Sequence, residues 1–146
     1  MPAKLLIESS RSRRGKHAER KIAFIVSKDH VRVLDESYCS QGRPMKPTYS
    51  KGRACELEVE VAPGSYAVQL RLVRNLWGRV KGCISVYDAS GSLLYRASIR
   101  KLKVRPSRGD YRYHWVVEKV IEHIKLSRIL KRYKLPPRLY KMFSHA

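Results

Sequence analysis

Apolar positions in the first half of the chain recur with the period of β-strands. The apolar run Ile22–Val26 and the shorter run Val31–Leu34 are separated by a polar break at 27–30. Short runs rich in β-branched residues and bounded by turn-forming residues are typical of strands. The two runs therefore predict a hairpin, whose register the sequence leaves open.

The strictest alternation lies in Glu56–Val61, and it resumes in Tyr66–Leu72 after a turn-forming Ala62–Ser65 segment. A hairpin across that turn would pair Val61 with Tyr66 and place Glu56 opposite Arg71. This register puts apolar residues on one face and opposite charges on the other. The sequence predicts that these two strands pair with each other.

A third hairpin is predicted from Val80–Val86 and Leu93–Ile99 around the turn at 88–92, with Val86 opposite Tyr95 and Ile84 opposite Ala97. The apolar residues then change parity, because Leu102 and Val104 are even-numbered. A bulge or bend in one continuing strand near Arg100 and Lys101 would account for the change.

The C-terminal part has the period of a helix. Asp110 is a candidate N-cap, and an apolar stripe follows at Tyr113, Val117, Val120, Ile121 and Ile124, so this face should dock on the sheet. The stripe then changes phase through Leu126 to Tyr133, which indicates a kink or a second short helix, and Pro136–Pro137 ends it.

These elements predict an α+β fold: a mainly antiparallel sheet, or partly open barrel, of five or six strands with a C-terminal helix packed on it. The predicted organisation is a basic N-terminal arm at 1–20 that is disordered when free, one domain at 21–133 (sheet 21–105, helix 110–133) and a basic tail at 134–146. Residues 39–54, rich in Gly, Pro, Ser and cations, are predicted to form a long exposed loop.

Charge separates this chain from an ordinary globular protein. Its 146 residues contain 32 Lys and Arg against 12 Asp and Glu, a formal net charge of +20. Such a protein repels itself unless a polyanion neutralises it. No apolar run is long enough to span a bilayer and no secretory signal opens the chain, so we expect a cytoplasmic protein with no membrane partner.

The three cysteines, Cys39, Cys55 and Cys83, have no zinc-binding spacing. Buried thiols are the simplest interpretation. A disulfide between two of them is left open, because intracellular proteins of hyperthermophiles carry disulfides. The scarcity of Asn and Gln beside 30% charged residues also favours a thermophilic source.

One-signed basic runs are the candidate phosphate contacts, at both ends of the chain and between predicted strands. A solvated basic face, a localisation signal or a solubility tail are the alternatives. Tyr133 and Tyr140 interleave with the C-terminal cations, and Trp77 is either a base contact or packed under its turn, whereas Trp115 is expected in the core. The predicted nucleic-acid-binding residues are Arg11, Arg13, Arg14, Lys16, Arg20, Lys21, Arg74, Trp77, Arg79, Lys81, Arg100, Lys101, Lys103, Arg105, Arg108, Arg128, Lys131, Arg132, Lys134, Arg138 and Lys141.

Catalytic chemistry finds little support. The row Glu56, Glu58 and Glu60 could hold Mg²⁺ in a small nuclease, but no Asp or Lys at nuclease-like spacing follows, so salt bridges to Arg71 and neighbouring cations are the favoured interpretation. The five histidines are scattered, and no phosphate loop or nucleophile elbow occurs. We therefore expect no catalytic residue, metal or cofactor.

A small core with long cationic extensions is similar in build to many ribosomal proteins, especially lineage-specific ones of heat-loving archaea, although no alignable motif carries this similarity. The resemblance implies an RNA-binding component of a ribosome or another ribonucleoprotein particle, with neighbouring proteins as further partners. A DNA-coating or viral packaging protein is the alternative, and composition does not choose RNA over DNA.

Overall fold

The structure, a computed structural model, describes residues 3–100 and 103–127. Nine strands form one sheet, followed by a single described α-helix. The elements are β1 (Ala3–Arg14), β2 (His17–Val26), β3 (Val31–Leu34), β4 (Arg43–Met45), β5 (Lys51–Val61), β6 (Tyr66–Arg74), β7 (Val80–Tyr87), β8 (Leu93–Arg100), β9 (Lys103–Gly109) and α1 (His114–Ser127), with 3₁₀ helices at Glu36–Gln41 and Tyr111–Tyr113. The tail at 134–146 and the predicted phase change after Ile124 fall largely outside the described residues.

All strand pairs are antiparallel, and the order across the sheet is β4-β5-β1-β2-β6-β7-β8-β9. β2 is long enough to pair with β1 through 17–21 and with β3 through 23–26. The antiparallel sheet with a C-terminal helix confirms the α+β prediction. The predicted five or six strands were too few, because segments interpreted as arm and loop contribute strands.

One face of the sheet packs against α1. Apolar residues of β2, β6, β7 and β8 meet the helix residues Val116, Val117, Val120, Ile121 and Ile124 in a single buried cluster. Asp110 caps the start of this region, since its side chain accepts a hydrogen bond from the Arg112 N–H. The predicted N-cap and docking face are confirmed, and Trp115 packs at the margin of this cluster.

A second apolar cluster contains residues of the opposite parity on β2 and β6. Ala23 and Ala67 pack there with Leu57, Val59 and Val61 of β5, as well as with Ile7 and Leu34. A disulfide between Cys39 and Cys55 fastens the 3₁₀ helix at 36–41 to β5, and Cys83 is free. The sequence left open whether two of the cysteines form a disulfide, and the structure contains the Cys39–Cys55 disulfide.

Residues 3–20 differ from the arm predicted to lack structure. They lie in β1 and the start of β2, where β1 pairs with β5 at eleven positions from Ala3↔Val61 to Arg13↔Lys51. Small Ser9, Ser10 and Ser12 are buried along this strand. Composition suggested little to bury here, but backbone pairing and small side chains order the segment despite its charge.

The predicted pairing of β5 with β6 was wrong. β5 pairs with β1 and β4, whereas β6 pairs with β2 and β7. Leu57 and Val59 belong to one apolar cluster and Val68 and Leu70 to the other, so the 62–65 turn connects different parts of the sheet. Alternation defines which face a strand buries but not which strand lies beside it.

The other two hairpins were predicted correctly. Val26 pairs with Val31, Val86 with Tyr95 and Ile84 with Ala97. The parity change after Ile99 marks a chain reversal instead of a bend within one strand: β8 ends at Arg100, which pairs with Lys103 of β9, and residues 101 and 102 lie outside the described residues. The prediction of a long loop at 39–54 is also wrong, since these residues contain the end of a 3₁₀ helix, β4 and the start of β5.

Candidate nucleic-acid interface

Cations line up across three neighbouring strands at one end of the sheet. Arg53, Arg11 and Arg20 are direct cross-strand partners on β5, β1 and β2. Two residues along β1 and β5, Arg13 pairs with Lys51. Directly opposed residues share a face with their Cβ atoms roughly 5 Å apart, so these rows place five like charges on one face.

Like-charged cross-strand pairs destabilise a sheet unless something neutralises them. Glu36 and Glu19 are two acids at this end of the sheet. Glu36 lies 3.5 Å from the Arg11 guanidinium, whose side chain is half exposed. Glu19 is buried and binds Arg71 at 2.9 Å. The rows therefore retain several exposed cations on one face of the sheet.

Two hairpin tips extend the same end of the sheet. The β1–β2 tip carries Arg14 and Lys16, and the β6–β7 tip carries Arg79, with Lys81 at the start of β7. The tips touch: Arg74 Nε donates a hydrogen bond to the Lys16 carbonyl at 3.0 Å. Arg74 pairs with Ala18 of β2, in line with Arg13.

We call this region the cationic end, and it includes Arg100 at the end of β8. Its members are Arg11, Arg13, Arg14, Lys16, Arg20, Lys51, Arg53, Arg74, Arg79, Lys81 and Arg100, of which all but Arg20 and Arg74 are exposed. Lys103 lies beside it by register with Arg100. Separate basic segments of the sequence thus converge because antiparallel strands bring their ends together.

The β6–β7 tip also presents an exposed aromatic ring. Trp77 is 80% exposed and the adjacent Leu76 is 49% exposed. The tip has a defined shape, since the Asn75 side-chain oxygen accepts hydrogen bonds from the Trp77 and Arg79 N–H groups at 3.0 and 2.9 Å. Of the two predicted alternatives, the packed Trp77 is not what the structure shows.

Not every predicted site residue joins the cationic end. Lys21 faces the other way and binds Glu8, with Nζ 2.6 Å from Oε2. Arg105 lies one position from Val104 on edge strand β9, and Arg108 lies near the opposite end of the sheet, paired with Arg96. The remaining members lie outside the described residues: Lys101, Arg128, Lys131, Arg132, Lys134, Arg138 and Lys141.

Lys51 and Arg53 were missing from the predicted interface. Their segment was interpreted as an exposed cationic loop. That interpretation indicated a functional segment but did not predict that the two cations lie beside Arg11 and Arg13. Gly52 between them explains the local geometry: an added Cβ would lie 2.0 Å from the Arg11 carbonyl oxygen. β5 therefore approaches β1 closely at this point and brings both cations into the rows.

The acidic row on β5 does not pair as predicted. Arg71 binds Glu19 instead of Glu56, while Glu58 lies 3.5 Å from Lys4 and Glu56 is in register opposite Arg43. Within residues 3–100 and 103–127, no group of three or more His, Cys, Asp or Glu side chains is placed to hold a metal ion.

A cleft of about 420 Å³ opens between the first half of β1 and the face of β6, β7 and β8 that is turned away from α1. Its polar lining includes the Glu8–Lys21 ion pair, Gln69 and Arg96, and it contains the free Cys83. Gln69 bridges to β1 by donating to the Glu8 carbonyl at 2.9 Å. These partners hold β1 against the sheet.

No family model matches the chain, and no curated protein or solved structure was found that resembles it. Among the described residues, none of the helices has the length and apolar character needed to cross a membrane. These comparisons assign the chain no function.

Proposed function

We propose that this protein binds nucleic acid through phosphate neutralisation at the cationic end, as a structural component of a ribonucleoprotein particle. The observation that carries the proposal is the exposed cross-strand pair Arg53–Arg11 beside the exposed pair Arg13–Lys51, because a sheet tolerates such like-charge pairing at a cost that a bound polyanion removes. A protein of net charge +20 favours the same ligand at long range.

RNA is the favoured ligand within this proposal. Sequence-specific DNA binding often places an α-helix in the major groove, whereas the only α-helix in the described residues packs its apolar side against the sheet and contributes no residue to the cationic end. Phosphate contacts carry no base information. A DNA-coating role remains the second candidate, and the relative affinity for RNA and DNA of one sequence decides between them.

Catalysis fits the geometry less well than binding does. The Glu56, Glu58 and Glu60 row lies along β5 toward the end opposite Lys51, so these acids are separated from the cations that would hold a substrate. Replacing all three with Gln should leave nucleic-acid binding intact or slightly stronger, because negative charge is removed. Metal-dependent cleavage that disappears in this variant would establish the nuclease alternative.

The test is a salt titration of RNA affinity for three proteins. Engaging about 6 to 10 phosphates should cost the wild type roughly three to five decades of affinity between 50 and 200 mM salt. An end variant replaces four exposed cations of the cationic end with Gln: Arg13, Arg14, Lys16 and Arg79. The matched control replaces four exposed cations elsewhere: Lys4, Lys28, Arg32 and Arg108.

Both variants carry the same reduced net charge, so only local interactions distinguish them. We expect the salt slope to fall by about one for each phosphate that the end variant no longer neutralises, and to change much less in the control. Equal slopes in the two variants would show that net charge alone attracts RNA. A flat salt dependence of the wild type would refute phosphate binding.

A further inference from the structure

We propose that Trp77 is a stacking platform for an unpaired base, which makes single-stranded or bulged nucleic acid the preferred ligand of the cationic end. This inference rests on the proposed function and narrows it. The supporting observation is a tryptophan ring that is 80% exposed at the tip of a hairpin surrounded by cations.

An exposed tryptophan is unusual because burying its large apolar surface is favourable. The second tryptophan shows the ordinary arrangement: Trp115 packs at the margin of the core, with its ring in edge contact with Tyr66 at 5.9 Å. Large apolar side chains left in water at one place mark a contact surface. Trp77 and Leu76 form such a place.

The tip holds Trp77 outward through its own hydrogen bonds. The Asn75 side chain accepts from the Trp77 and Arg79 N–H groups, Asn75 N–H donates to the Arg79 carbonyl at 2.9 Å, and Gly78 has a φ of +79°. A turn closed in this way loses little conformational entropy when a ligand binds it. The ring is presented before the ligand arrives.

Cations lie in the same hairpin as the ring. Arg79 follows Trp77 by two residues, and Arg74 joins the tip to the β1–β2 tip through the Lys16 carbonyl. Aromatic rings combined with backbone-tracking cations are how proteins bind single strands without sequence preference. Bases in a duplex are already stacked, and freeing one costs a few kcal/mol. An unpaired base therefore fits this site best.

The test uses the full chain with Trp115→Phe, so that Trp77 is the one fluorescent tryptophan. The probes are an oligouridylate roughly 12 nucleotides long, a perfect RNA duplex with the same number of phosphates, and anionic phosphatidylserine vesicles. We expect the oligouridylate to quench Trp77 emission. Trp77→Ala should weaken oligouridylate binding about tenfold or more while changing duplex affinity by about twofold or less.

Trp77→Phe should retain most of the affinity, and Leu76→Ala, which removes a neighbouring apolar side chain without a π-face, should leave it unchanged. The salt slope should be the same in all these variants because no phosphate contact is removed. If the wild type binds with a steep slope but Trp77→Ala binds the oligouridylate equally well, stacking is refuted while the proposed function stands.

Two other outcomes overturn the inference. The first is a blue shift of Trp77 emission when the vesicles are added, together with equal losses of vesicle affinity in Trp77→Ala and Leu76→Ala. This result would identify an anionic membrane surface as the ligand. Absence of salt-dependent binding to either nucleic acid would refute the proposed function and the inference together.

Discussion

Replacing Glu19 with Gln should destabilise this protein more than any other single neutralisation of an acid in β1, β2 or β5. Glu19 is 2% exposed, and its carboxylate accepts hydrogen bonds from Arg71 Nε at 3.2 Å, Arg71 Nη2 at 2.9 Å and Thr48 Oγ1 at 2.7 Å. Among the acids of β1, β2 and β5 it is the buried one, and it directly precedes Arg20 of the cationic end in β2. Its charge therefore offsets repulsion as well as binding one arginine.

The magnitude follows from these hydrogen bonds. Hydrogen bonds to a charged group contribute about 1.5 to 3 kcal/mol, but Arg71 is half exposed and water replaces part of what it loses. We expect Glu19→Gln to lower the free energy of unfolding by about 1 to 2 kcal/mol, and Glu19→Ala, which also removes the acceptor for Thr48, by about 2 to 4 kcal/mol. The destabilisation should shrink as salt screens the neighbouring cations.

Urea unfolding monitored by circular dichroism measures these changes in stability. Glu58→Gln is the matched control, because its partner Lys4 lies 3.5 Å away with both side chains more than half exposed, and it should change stability by about 0.5 kcal/mol or less. A Glu19/Arg71 double-mutant cycle isolates their coupling. Equal stability of Glu19→Gln and Glu58→Gln would refute the role assigned to Glu19.

Three further changes test the fold. Gly52→Ala should lower the free energy of unfolding by about 3 kcal/mol or more, since its Cβ would lie 2.0 Å from the Arg11 carbonyl oxygen. Gly64→Ala, in open space at a φ of +83°, should lower it by about 1 kcal/mol. Similar decreases in melting temperature for the two variants would contradict the β1–β5 register. Tyr95→Phe should lose about 1 to 2 kcal/mol in urea unfolding, because the buried hydroxyl lies 2.7 Å from His114 Nδ1, and an unchanged midpoint would refute that hydrogen bond. Burial, reinforced by the positive charge of His30, lowers the pKa of His123 below its usual 6.5, so the unfolded chain binds this proton more readily. The contribution of neutral His123 to the free energy of unfolding should therefore be complete above pH 6.5 and decrease as the pH falls from there toward the folded-state pKa. His123→Gln should reduce this decline in stability. An equal decline in both proteins would refute the lowered pKa of His123.

Local sequence patterns predicted the positions of strands and helix better than they predicted which strands pair with each other. Val86 opposite Tyr95 followed from a short turn, which leaves few registers open. Glu56–Val61 alternates just as clearly, yet it pairs along its length with β1, about fifty residues away. β1 comes from a Ser- and Arg-rich segment, which hydrophobic periodicity could not identify as a strand. Long-range strand pairing depends on which faces can be buried together, which a single segment does not reveal.

The candidate site shows the same limit. Basic runs identified Arg11, Arg13 and Arg79 individually, since one-signed charge is visible in composition. Their convergence with Arg53 required the β5–β1–β2 register. The exposure of Trp77 also depended on tertiary structure, because a tryptophan beside a glycine turn is compatible with a packed and with a free ring.

The most direct measurement of the central claim is a map of backbone amide chemical-shift changes when an oligouridylate is added to the isotopically labelled full chain. Binding at the cationic end predicts the largest changes in three stretches, 11–20, 51–53 and 74–81, with small changes at 28–34, 57–62 and 108–112. Raising salt should reverse them together. The largest changes in the second set, or a uniform small change over all strands, would contradict the claim that this end of the sheet is the nucleic-acid-binding surface.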